Sequence, residues 1–222
     1  MIGLPQPSLC LVTDRRRVVP DARTVRDEVA ALEAFLDEAI GAGVDLIQVR
    51  ERGLDAALLV GLVARTVARA GRTTTRVLVN DRADVAMAAA AHGVHLRGDA
   101  APTSRVRELV GPDMLIGRSI HDPVETTDAA DFLVFGTVFR TTSKPADAPV
   151  GGLDALAEAS RRSTVPVLAI GGVTPDRATA CRTAGAAGIA AISIFLPAGR
   201  SQHALGPAAA VAAFRAAWKQ QG

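Results

Sequence analysis

"VPVLAIGGVTPDRATACRTAGAAGIAAIS", residues 165–193, reads as one strand–helix–strand unit. It opens on VPVLAI (165–170), where apolar residues are nearly consecutive rather than alternating. A strand of that kind is covered on both faces, as in a parallel sheet. After Gly171 and Gly172 comes TPDRATACRTAGAAG (174–188), with Thr174 as a cap, Pro175 in the first turn and Gly185 at the close. Those are helix start and stop signals. A second apolar run, GIAAIS (188–193), follows at once.

The same unit recurs along the chain. Earlier apolar runs are SLCLVT (8–13), VDLIQV (44–49), RVLVN (76–80), GVHL (93–96), MLIGRS (114–119) and DFLVFG (131–136). Between them lie segments with apolar residues on one helical face, such as VAALEAFLDEAIGAG (29–43), LDAALLVGLVARTVARAG (54–71) and PTSRVRELVG (102–111), and a last helix near 205–219. Gly43, Gly71, Gly93, Gly111 and Gly185 stand where left-handed helix C-caps are expected. Eight such units in 222 residues predict an α/β fold, a (β/α)8 TIM barrel, as a single domain over residues 1–222. A doubly wound open sheet is the runner-up. It more often carries a GxGxxG-type turn after the first strand, and here that turn reads VTDRRR.

Composition narrows the function. Hydrophobic residues make up 49% and charged residues 22%, so an ordinary globular core is expected. Aromatics are only 3% and Tyr is absent, so Ala, Val, Leu and Ile must fill that core. A net charge of +2 supplies no strong field for nucleic acid or an anionic membrane. The cluster DRRRV (14–18) reads as a solvated loop. Cys10 and Cys181 have no metal-site spacing and read as small core residues in a reducing compartment. MIGLPQPS at the start lacks the marks of a signal peptide, and no uncharged apolar stretch is long enough to span a bilayer; the expectation is a cytoplasmic protein.

In a TIM barrel the active site lies at the C-terminal ends of the strands. Polar residues gather there. Gln48, Arg50 and Arg52 end the second strand; Asn80 and Asp81 the third; Arg118, Ser119, His121 and Asp122 the fifth. Arg50 and Arg52, on one strand face, would line the mouth and bind an anion, or else be a solvated pair. Asn80-Asp81 would hold a metal or an amine, or form a turn capping the next helix. Gly171-Gly172, the helix after them and Ser193 make a candidate phosphate site, the alternative being a tight turn. The sixth strand runs into Thr141, Thr142, Ser143 and Lys144, at the same rim. Lys144 is one of only two lysines, with Lys219. Hydroxyls there can orient a ligand and the lysine can supply a point charge. His92 and His95 are given no role, and His203 is read as a surface residue.

CLVTD, GVDLIQVRERG, VLVNDRADVA, GVHL, IGRSIHD, DFLVFGTVFRTTSKP, VPVLAIGGVTPDR and AGAAGIAAIS, taken in order over residues 10 to about 195, resemble the thiamine phosphate synthase/TenI family. The resemblance implies a (β/α)8 barrel binding thiazole phosphate, and one of two reactions. The synthase joins a pyrimidine pyrophosphate to thiazole phosphate with Mg2+ and releases pyrophosphate. The TenI-type enzyme is a thiazole tautomerase, which aromatises carboxythiazole phosphate by moving a proton and needs no cofactor. The matching positions imply that Gln48, Arg50, Asn80, Asp81, Ser119 and Lys144 would hold the pyrimidine, its pyrophosphate and the metal. Thr141, Ser143, Gly171, Gly172, Ile192 and Ser193 match the thiazole phosphate site.

Two departures bear on the choice. Synthases carry a Gln and then an acidic pair after the fourth strand, whereas HLRGDA places Gly98 at the Gln and Ala100 at the second acid, leaving Asp99 one place early. Arg52 stands where synthases carry Lys, and a smaller point is Arg140, where they commonly have Pro. RERG, GRSIHD and LVFGTVF look closer to the TenI type, in which the histidine of GRSxH, here His121, is the proton-transfer residue. An imidazole, with an ordinary pKa of about 6.5, can take and return a proton at neutral pH. The expectation is therefore the tautomerase, with the Mg2+-dependent synthase second and a non-catalytic thiazole-phosphate binder third. The partner is a phosphorylated thiazole, with no nucleic acid and no membrane. A homodimer is left open by the fold, as barrels of this type often dimerise.

Overall fold

A computed structural model describes residues 3–125, 129–141, 145, 147 and 149–219. Eight parallel strands close into a barrel in chain order: β1 (Ser8–Val12), β2 (Leu46–Val49), β3 (Arg76–Asn80), β4 (Gly93–Leu96), β5 (Leu115–Ile120), β6 (Phe132–Phe135), β7 (Val167–Ile170) and β8 (Gly188–Ala191). β8 pairs back onto β1, with Cys10 opposite Ala190, so no edge strand is left. The principal helices are α2 (Val25–Gly41), α3 (Ala56–Ala70), α4 (Ala83–Ala88), α5 (Thr103–Val110), α6 (Gly152–Arg162), α7 (Pro175–Thr183) and α8 (Pro207–Lys219). A short α1 (Arg15–Val18) precedes them in the loop after β1.

The consecutive apolar residues of each strand divide between two cores. One face packs outward on the helices, through residues such as Leu9, Ile47, Val77, Val94 and Phe135. The other fills the barrel with Cys10, Leu46, Leu78, Leu115, Phe132 and Leu168. Large inward side chains are accommodated by glycines on the neighbouring strands. A Cβ on Gly117 would lie 2.3 Å from the Phe132 ring, and one on Gly93 would lie 2.5 Å from Leu78. The interior is a packed core rather than a channel. By the two-residue period of a strand, Gln48, Asn80, His95 and Ser119 share this inner face.

Several local expectations are corrected. DRRRV is not a solvated loop: Arg15–Val18 forms α1, and Arg15 is 3% exposed. Gly43, Gly111 and Gly185 have positive φ, as C-caps require, but Gly71 has φ −59 and Gly93 is the first residue of β4. Thr174 occupies the N-cap of α7 without a side-chain bond to the helix backbone; its hydroxyl instead bonds Asp176, whose carboxyl it holds below its ordinary range. Pro102, at the N-cap of α5, has no side chain with which to cap it.

Candidate functional site

The mouth is assembled by contacts that run from one βα loop to the next. Gln48, 4% exposed, donates from Nε2 to Asn80 Oδ1 at 2.8 Å. Asn80 donates from Nδ2 to Asp81 Oδ2 at 3.0 Å. Asp81 reaches the loop after β4, where its Oδ1 accepts the backbone N–H of Arg97 at 2.8 Å and its Oδ2 receives the Arg97 guanidinium. A Cβ on Gly98, the next residue, would lie 3.5 Å from Cδ2 of His121. Arg118 ties the same loop to β5, donating to the Gly98 carbonyl at 2.8 Å and the Ala101 carbonyl at 2.7 Å. The Nδ1 of His121 bonds the carbonyl of Gly136 at the end of β6. A Cβ on Gly171 would lie 2.5 Å from Thr137, and one on Gly172 2.5 Å from the Arg140 carbonyl. Across the closure of the barrel, Arg17 of α1 donates to Ser193 Oγ after β8 at 3.1 Å.

Most residues expected at the site therefore meet on one rim. Ser119 and Ile192 lie at the strand ends on the inner face, half-buried. Thr141 follows β6, while Ser143 and Lys144 lie outside the described residues. Gly171 and Gly172 adopt φ 98 and 61, and their carbonyl side is held by Arg177, which donates to the Gly172 oxygen at 2.8 Å and stacks on Phe139 at 4.7 Å. The pair thus makes a tight left-handed turn packed against the β6 loop, a shape only glycine adopts without strain.

Arg50 and Arg52 do not share a strand face, because β2 ends at Val49. Arg50 is half-buried at the mouth and makes no ion pair among the described residues; burial, then the nearby Arg52, push its pKa down. Arg52 is exposed and lines a cavity of about 370 Å³ together with Glu51, Asn80, Asp81, Arg82 and Arg97. Asp81 is not the cap of α4. It sits at φ 59, and its carboxylate turns to the β4 loop.

Arg15, Arg17, Arg97 and Arg177 were missed as parts of the mouth. Arg15 donates to Glu51 at 3.1 Å and to Glu28 at 2.7 Å, fastening α1 to the β2 loop. His95 lies inside the barrel, 6.0 Å from the Phe132 ring and nearly parallel to it; burial lowers its pKa to about 4, so at neutral pH it is an uncharged part of the core. Neither of its ring nitrogens has a hydrogen-bond partner among the described residues.

Resemblance to the synthases implies Mg2+, but the donor set does not accept it. Both Asp81 oxygens are engaged by Arg97 and Asn80, and Ala100 stands where a second acid would be. Among the described residues no three His, Cys, Asp or Glu side chains converge on a point. No helix among them is long and apolar enough to cross a membrane.

A closed parallel barrel with glycines, hydroxyls, amides and guanidinium groups gathered at the C-terminal ends of its strands defines the class: a (β/α)8 protein whose mouth is suited to a small anionic ligand. The comparisons make this specific. The family model described as "Thiamine monophosphate synthase" matches residues 9–195. The chain belongs to the thiamine-phosphate synthase/TenI family. It is 41% identical over 186 residues to the thiamine-phosphate synthase of Anaeromyxobacter dehalogenans, covering 82% of this chain and 80% of the relative. It is 38% identical over 209 residues to that of Salinibacter ruber, covering 91% and 88%. Among solved structures, thiamine phosphate pyrophosphorylase from Pyrococcus furiosus superposes with a TM-score of 0.78 at 28% identity, over 96% of each chain. These names support the synthase reading; the sequence-based preference for the tautomerase finds no support in them.

Proposed function

We propose that this chain is a transferase of the thiamine-phosphate synthase type, condensing a pyrimidine pyrophosphate with thiazole phosphate and releasing pyrophosphate. The observation behind the proposal is the hydrogen-bonded row Gln48–Asn80–Asp81, running from the inner face to the loop after β4, with Arg50 beside it, in a chain 38% and 41% identical to two relatives named for that reaction. A leaving pyrophosphate concentrates negative charge, and fixed cations aimed at that charge lower the barrier. Arg50 would be such a cation, since no carboxylate pairs with it among the described residues. Gln48 and Ser119 would orient the pyrimidine from the inner face. Gly171, Gly172, Thr141 and Ser193, with Ser143 and Ile192, would take the thiazole phosphate, and Lys144 would face the pyrophosphate. Ser193 accepts from Arg17, so its own O–H remains able to donate. The carbon–oxygen bond to pyrophosphate breaks as the carbon–nitrogen bond to the thiazole forms, and the charge released stays at the arginine side of the mouth.

A second reading, the thiazole tautomerase, is favoured by His121. A carbonyl only accepts, so the bond to Gly136 assigns the proton of the neutral ring to Nδ1 and leaves Nε2 as the base. The two readings separate on His121→Ala. If the chain is a tautomerase, aromatisation of carboxythiazole phosphate falls about 100-fold or more. If it is a synthase, formation of thiamine phosphate changes less than about tenfold, because no group of His121 takes a proton in the bond-forming step. Both assays are run with and without Mg2+.

A further inference from the structure

We infer that Arg97 is the resident cation of this mouth: its guanidinium holds Asp81 and Asp99 together and excludes a divalent metal from them. This reaches beyond the transferase reading and does not depend on which reaction the chain performs. The same nitrogen, Nε of Arg97, faces Asp81 Oδ2 and lies 3.5 Å from Asp99 Oδ1. Two carboxylates from different loops thus converge on one positive group. Convergence of that kind is what a hard cation asks of a protein, since Mg2+ binds through one or two carboxylates plus water and substrate phosphates.

Three features make Arg97 a fixture of the site rather than a passing contact. It follows Leu96, the last residue of β4, so its side chain departs from the barrel rim itself. Its backbone N–H donates to Asp81 Oδ1 at 2.8 Å, so main chain and side chain grip the same carboxylate. Asp81 is in turn held by Asn80, which is held by Gln48 from the inner face. Asp99 has no such anchoring among the described residues: its side chain is 74% exposed, and its ion pair is with Arg97. The guanidinium is permanently charged, so this occupant does not titrate away at any physiological pH.

The test is titration of Mn2+ into the purified, ligand-free chain, reading free Mn2+ by its paramagnetic resonance signal. The wild type should leave the metal free. Arg97→Ala should bind about one Mn2+ per chain with at least about tenfold higher affinity than the wild type. Adding Asp81→Asn to that variant should abolish the binding, and Arg97→Lys should restore exclusion. Thermal unfolding of each variant checks that it is folded. Two results would overturn the inference. One is Mn2+ bound by the wild type and lost on Asp81→Asn. The other is a folded Arg97→Ala that binds none, because Arg97 would then be excluding nothing. Failure to form thiamine phosphate would remove the transferase reading and leave this result untouched.

Discussion

Arg15→Ala is expected to lower the stability of the fold by about 3–5 kcal/mol, the usual consequence of stripping one partner from a buried ion pair. Arg15 is 3% exposed and Glu51 6%. Arg15 meets Glu51 through both its guanidinium and its backbone N–H, each at 3.1 Å, and holds Glu28 at 2.7 Å. Without it, Glu51 keeps a charge in a site with little solvent. Urea unfolding should show the loss as a lower midpoint at unchanged slope. Its pH dependence has a definite sign. Burial already raises the pKa of Glu51, with Thr13 and Arg15 opposing. A carboxyl whose folded pKa lies above its unfolded value weakens the fold at high pH, and the penalty lifts as pH falls through the folded value. Removing Arg15 raises that pKa further. The deficit of the variant should therefore be largest near neutrality and shrink as acidification carries Glu51 through its raised folded pKa. A deficit that grows over that range would contradict the assignment of Glu51 as the stranded charge.

Arg50→Met should do the reverse, sparing the fold while removing function. Arg50 is half-buried and makes no ion pair among the described residues, and burial, then Arg52, push its pKa down while the guanidinium stays charged. A cation kept in that state costs stability, and such costs concentrate at functional sites. The apolar methionine keeps the packing of the arginine stem. The unfolding midpoint should stay level or rise, while turnover falls on the order of 100-fold, as when one donor to a developing anion is removed. A variant that unfolds earlier and keeps full turnover would make Arg50 a structural residue.

How far these residues could be read without coordinates depends on the range of the signal. The strands were legible because parallel strands covered on both faces are apolar without alternation, and VPVLAI and GIAAIS say so within a few residues. Gln48 and Asn80 were legible as rim residues because each closes an apolar run, but their place on the inner face comes from the barrel register. What escaped notice were charges whose meaning depends on partners far away in sequence. Arg15 is separated from Glu51 by 36 residues and Arg17 from Ser193 by 176. Only closure of the barrel makes them neighbours, so DRRRV reads as a solvated cluster until β1 lies beside β2 and β8. Gly93 reads as a helix cap in the sequence because its reason is a close approach: its missing Cβ leaves room for Leu78 and Leu115 on the two flanking strands. Arg97 was hidden in the same way, since nothing local in HLRGDA shows that a carboxylate at the end of the preceding strand will face it.

Incubating the purified chain with the pyrimidine pyrophosphate and thiazole phosphate, and following thiamine phosphate and released pyrophosphate together, tests the central claim most directly. The transferase account predicts both products in equal amounts from the wild type and a loss on the order of 100-fold in Arg50→Met. No thiamine phosphate from folded wild-type protein, with or without Mg2+, would contradict it.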